Sequence, residues 1–168
     1  MAKNKKTQKQ FSETGFTLIE ALVALIILSL ALVPALLLST QAVNTAFSLR
    51  NNLVAINLAQ EGIEIVRAIR DSNWFAEPSV AFDANLTDGT WRIDWNSETL
   101  IALGSNPPLK INNGLYNYSS GTDSAFKRTV TVNKLNAAEL KIVSEVSWTE
   151  RGERQKTIQA ESHLFNWR

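Results

Sequence analysis

The sequence predicts an α+β fold: one long N-terminal helix, half membrane-spanning and half amphipathic, packed on a C-terminal antiparallel β-meander. Three observations carry this expectation. Residues 21–38 read ALVALIILSLALVPALLL, and no charged residue follows Glu20 until Arg50. Beyond that run, apolar residues recur every three or four positions as far as Val66, the spacing of a helix face. After Pro78 the spacing changes to two, which is the period of a strand with one buried face.

The chain opens on a basic segment. Lys3, Lys5, Lys6 and Lys9 crowd the first ten residues, opposed before Gly15 only by Glu13. Removing residues 1–15 takes four positive charges and one negative from a formal +1, which leaves −2. The 17 basic and 16 acidic residues of the whole chain are nearly balanced, so nothing draws it strongly to nucleic acid. There is no cysteine, which excludes disulfides and thiolate metal sites. A single histidine, His163, excludes a multi-histidine metal site or relay.

The apolar run is long enough to span a membrane, since about 20 residues cross a hydrocarbon core of ~30 Å. Lysines on its N-terminal side place that end in the cytoplasm and the remainder outside. A cleaved secretory signal would have a shorter apolar region closed by a small-residue site, and no convincing A-x-A site is present. A plain signal anchor fits the run itself. It leaves unexplained the GFTLIE that stands at the junction, with a lone carboxylate, Glu20, beside apolar residues.

The basic leader ending in Gly15, then Phe16, Thr17, Leu18, Ile19 and Glu20, then the apolar helix, resemble the prepilin signature of type IV pilins and type II secretion pseudopilins. The resemblance rests on KKTQKQFSETGFTLIEALVAL, about 25 residues. It implies a prepilin peptidase that cuts between Gly15 and Phe16 and methylates the new amine of Phe16. It implies a helix anchored in membrane lipid before assembly and built into a filament core afterwards, with other pilin subunits and an inner-membrane assembly platform as partners. Glu20 would pair with the Phe16 amine of a neighbouring subunit. Glu20 lies four residues after Phe16, about one helical turn. A carboxylate in a first turn is favoured by the unpaired N–H groups and the helix dipole. A charge partner offsets the cost of burying it in a bundle. The plainer reading puts Glu20 at the membrane edge, reaching water. Pro34 removes one backbone hydrogen bond from the helix and is expected to kink or loosen it.

The helix is expected to continue through QAVNTAFSLRNNLVAINLAQEGIEIVRAIRDSNW. Ala42, Ala46, Leu49, Leu53, Ile56, Ala59, Ile63 and Val66 form its apolar side, and Arg50, Asn51, Gln60, Glu64, Arg67 and Arg70 its polar side. Gly62 weakens it by ~1 kcal/mol. Asp71 to Asn73 and Pro78 end it. A helix from Phe16 to Trp74 would be about 85–90 Å long, half in membrane or filament core and half against a domain, which is the pilin lollipop.

In TWRIDWNS, Trp91, Ile93 and Trp95 alternate with Arg92, Asp94 and Asn96. LKINNGLYNYS contains Asn113-Gly114, a hairpin signal. FKRTVTVNKL, LKIVSEVSWTE and RQKTIQAESHLF are three further strands, with turns at Asn136 to Glu139 and at Arg151-Gly152. Residues 99–124 are a loop-rich insert punctuated by Pro107, Pro108, Gly114 and Gly121. The expected organisation is therefore a removed leader at 1–15, a membrane or filament-core helix at 16–40, its amphipathic continuation at 41–74, and a β domain at 75–168.

The sequence has no phosphate-cradling glycine loop, G-x-S-x-G, H-E-x-x-H or calcium loop, so it points away from an enzyme and implies no cofactor. His163 and the Glu61/Glu64 pair read as solvated groups. Most of Trp74, Trp91, Trp95, Trp148 and Trp167 read as core, with one or two free for a ligand or subunit contact. Arg151, Arg154 and Lys156 are a small basic cluster that could meet DNA. Major pilins close a C-terminal loop with a disulfide, which this chain cannot do. The resemblance therefore implies a minor pilin, at the cell surface in a pilus. A type II secretion pseudopilin is the alternative within the family, and a pilus-displayed adhesin or DNA-binding module the alternative of another class.

Overall fold

A computed structural model describes residues 15–78, 80–150 and 152–167. The leader residues Lys3, Lys5, Lys6, Lys9 and Glu13, and Arg151 of the basic cluster, lie outside the described residues. The fold is α+β, one long N-terminal helix followed by antiparallel sheet, as the change of period predicts. Helix α1 runs Leu18–Phe75 without interruption, with Pro34 inside it. The chain divides into two compact units, Met1–Thr45 and Ala46–Arg168.

In the first unit every described residue is exposed. Leu25, Ile27, Leu30, Leu36, Leu37 and Leu38 each leave 60% or more of their surface uncovered. An apolar surface that large requires lipid or protein to cover it.

The second unit has its own core. Strands β1 (Gly89–Arg92), β2 (Ile101–Ala102), β6 (Lys127–Asn136), β7 (Glu139–Thr149) and β8 (Gln155–Phe165) form one antiparallel sheet in the order β2-β1-β6-β7-β8. The last three strands are the predicted meander. On β6 and β7 alternate side chains point inward: Arg128, Val130 and Val132, then Leu140, Ile142, Ser144, Val146 and Trp148. Ile63, Val66 and Ile69 of α1 pack on Val130, Val132, Leu140, Ile142 and Leu164. Ala55, Leu58 and Ala59 pack beside Leu109, Phe126, Val146 and Trp148. Burying each large aliphatic side chain contributes about 1.5–3 kcal/mol.

The buried side of α1 differs from the predicted one. Ala59, Ile63 and Val66 face the core, but Leu49, Leu53 and Ile56 are exposed and the stripe runs instead through Ala55, Leu58, Gly62, Ile65 and Ile69. A line of spacings three and four drifts around an ideal helix by ~20° per heptad, so its two ends do not share a face. Arg70, assigned to the polar side, is buried, with its guanidinium 4.3 Å from the centre of the Trp74 ring. At the helix end, the buried Asn73 amide donates to the carbonyls of Phe82 (3.1 Å) and Ala84 (2.7 Å), which pins the connection to β1.

Gly62 is the closest approach of helix to sheet. A Cβ there would lie 2.4 Å from Ser144 Oγ and 3.2 Å from Val130 Cγ2. Gly62→Ala is therefore expected to destabilise the fold by about 1–3 kcal/mol, against a gain of up to ~1 kcal/mol in helix propensity. Ser144→Ala should recover part of the loss, because it removes the nearer atom. Denaturant titration of the two single variants and the double variant measures both effects.

The shorter elements also refine the prediction. Strand β1 ends at Arg92, and the chain turns at Asp94, whose carbonyl accepts from Ser97 N–H. Ile93 is buried as expected, but the turn leaves Trp95 exposed. Residues 99–124 carry β2 and a separate sheet of β3 (Lys110–Asn112), β4 (Leu115–Asn117) and β5 (Thr122–Asp123), ordered β4-β3-β5. Asn113 and Gly114 adopt φ of 49° and 82°, the two positive values that a tight β3–β4 hairpin needs.

Candidate processing and assembly site

Thr17 starts helix α1. Its Oγ1 accepts from the Glu20 N–H at 3.3 Å, and its carbonyl accepts from Ala21 N–H at 3.1 Å. Thr17 is thus the N-cap, and Glu20 is the third helical residue, the acidic group of the first turn. Thr-x-x-Glu is a sequence signature of a helix start, and Thr17-Leu18-Ile19-Glu20 would have located this cap. The sequence reading, which began the helix at Phe16, missed it. Phe16 precedes the cap and is 75% exposed.

Gly15 is exposed, and no described atom lies within 4 Å of where a Cβ would sit. Beyond Glu20, α1 presents bare apolar residues through an 18-residue window suited to crossing a membrane, none of it buried.

Residues 11–36 match the family model of the prokaryotic N-terminal methylation motif. The chain carries the type IV prepilin signature. Neither a search of curated proteins nor one of solved structures finds a match for the chain. The prepilin signature supports a pilin- or pseudopilin-like precursor, and points to a structural subunit rather than an enzyme. It implies processing by a prepilin peptidase and assembly with other pilin subunits. Together with the apolar half of α1 it fits a membrane-anchored precursor.

The other candidates of the sequence are accounted for on the second unit. Glu64 pairs with Arg67 at 2.6 Å on the helix surface. Glu61, read as solvated, instead meets the fully buried Arg128 at 3.1 Å. Lys156 is 3.4 Å from Glu150, so its charge has a partner. The Ser48 hydroxyl, 2.8 Å from Glu150, is the main cause holding that carboxyl below its usual range, with Lys156 adding to it. Trp148 is core, Trp74 is half-buried against Trp167, and Trp95 and Trp167 are exposed.

Proposed function

We propose that the chain is a structural subunit of a type IV pilus, a minor pilin acting in filament assembly or modification, made as a prepilin. In this reading the peptidase cuts between Gly15 and Phe16, the new amine of Phe16 is methylated, and Glu20 receives the amine of a neighbouring subunit. The supporting observation is the junction itself. An exposed glycine with open space where a Cβ would sit stands two residues before the helix cap, and that helix carries one first-turn carboxylate at the head of a bare apolar segment. An exposed glycine lets another molecule approach the backbone closely. Before assembly the subunit spans the inner membrane once, N-terminus in the cytoplasm and β domain outside.

The intact mass of protein recovered from cells with a working pilus system tests the reading. The expected chain begins at methylated Phe16. A chain that keeps residues 1–15 beside active peptidase would leave a signal-anchored surface protein instead.

A further inference from the structure

His163 lies on β8, the last strand at one edge of the large sheet, close to the end of the chain. Its two ring nitrogens meet different carboxylates: Nδ1 is 2.7 Å from Glu139 Oε1 on β7, and Nε2 is 3.4 Å from Glu161 Oε1 on β8. A neutral imidazole has one N–H and could donate to only one of them; the imidazolium has two and serves both. Lys141 of β7 is the other charged group in the cluster, 2.9 Å from Glu161. The Asn136 amide holds the second oxygen of Glu139 at 3.1 Å. Helix α1 packs on the opposite face of the sheet, where Ile142 and Leu164 are buried.

The residues after His163 run from this cluster to the core side of the sheet. Phe165 stacks on the His163 ring at 6.3 Å, Asn166 N–H donates to Ala138 O at 2.8 Å, and Trp167 sets its ring against Trp74 of α1 at 4.6 Å. Ala138 adjoins Glu139, so the hydrogen bond that holds the tail and the carboxylate that holds His163 come from the same turn.

We propose that the end of β8 and the tail through Trp167 are held by a proton-operated clamp, closed while His163 is an imidazolium and loosened when it loses that proton. Hydrogen bonding to Glu139 pushes the His163 pKa above its ordinary value; desolvation opposes it, and Glu161 adds a smaller upward push. A histidine raised on folding stabilises the fold fully below its unfolded pKa of ~6.5, and that contribution is lost as pH rises through the folded value. The clamp is therefore closed in mildly acidic surroundings and opens toward alkaline ones.

The chain has one histidine, so one ring signal reports it unambiguously. The test is an NMR pH titration of the whole chain in detergent micelles, following the His163 ring and the Trp167 indole, the latter assigned with Trp167→Phe. The expected result is a His163 midpoint above the ordinary ~6.5 and a Trp167 signal that moves with the same midpoint. Glu139→Gln should lower the midpoint, and His163→Gln should remove the shared transition. A midpoint at or below the ordinary value overturns the clamp. So does a Trp167 signal that stays still, or one that moves alike in His163→Gln.

Discussion

Glu20→Ala is expected to leave cleavage after Gly15 intact and to cut incorporation of the subunit into filaments roughly a hundredfold to a few thousandfold. Glu20 has one task within its own chain and, on the proposed reading, another toward a neighbour. Within the chain it does little. The first turn is capped by Thr17 Oγ1 through the Glu20 backbone N–H, which alanine retains, and losing the carboxylate from the helix dipole costs only about 0.3–1 kcal/mol. On the proposed pairing with a neighbour's amine the loss between chains is large, because an amine left unpaired in a helical bundle costs about 3–5 kcal/mol. Glu20→Gln, of the same size and without charge, should fail like alanine. Thr17→Ala removes the cap, worth about 1 kcal/mol, and should still assemble. Quantifying the subunit in sheared filaments against the membrane pool measures all three. Normal incorporation of Glu20→Ala would return the carboxylate to the role of a membrane-edge group.

Arg128→Ala is expected to destabilise the second unit by about 3–5 kcal/mol, through the space left by a large buried side chain and the loss of its hydrogen bonds to the helix and to Ile93. Arg128 is fully buried on β6. Its Nη1 donates to Leu58 O and to Glu61 Oε1, both at 3.1 Å, and its Nη2 to Ile93 O at 2.6 Å. One guanidinium thus ties the helix, β6 and the end of β1 together. Removing it takes the guanidinium donor from Ile93 O, leaves Leu58 O with its helical partner only, and leaves Glu61, itself 35% exposed, to turn to water. Lysine should not rescue, because a single ammonium cannot reproduce the fork that reaches both carbonyls. Methionine should cost less than alanine because it fills the space. Denaturant unfolding of the whole chain in micelles distinguishes the three.

The sequence discloses what is periodic and what is a compact motif. Alternation makes β6, β7 and β8 readable because one side of each strand meets the core, and Asn113-Gly114 declares its hairpin through its need for positive φ. The prepilin signature is readable for another reason: its distinguishing residues, Gly15 to Glu20, are six in a row. Long-range partnerships are not readable in this way. Arg128 has the parity of Val130 and Val132, which was a signal that it points inward, yet nothing local names Leu58, Glu61 and Ile93 as its partners. The buried side of α1 escaped because its outer half carries apolar residues on more than one face, so spacing alone could not choose between them. Trp95 escaped because a two-residue period does not say where a strand stops.

The order in which the chain leaves the ribosome gives the α1 core a particular vulnerability. Ala55, Leu58, Ile63, Val66 and Ile69 are covered chiefly by residues between Leu109 and Leu164. N-terminal segments emerge first, and non-local contacts wait for the later strand. The anchoring helix is thus made well before any β6–β8 residue exists to cover its neighbour. In that interval the nascent chain carries an uncovered sticky stripe directly after its bare apolar segment. Until the last strands are made, association through that stripe competes with folding.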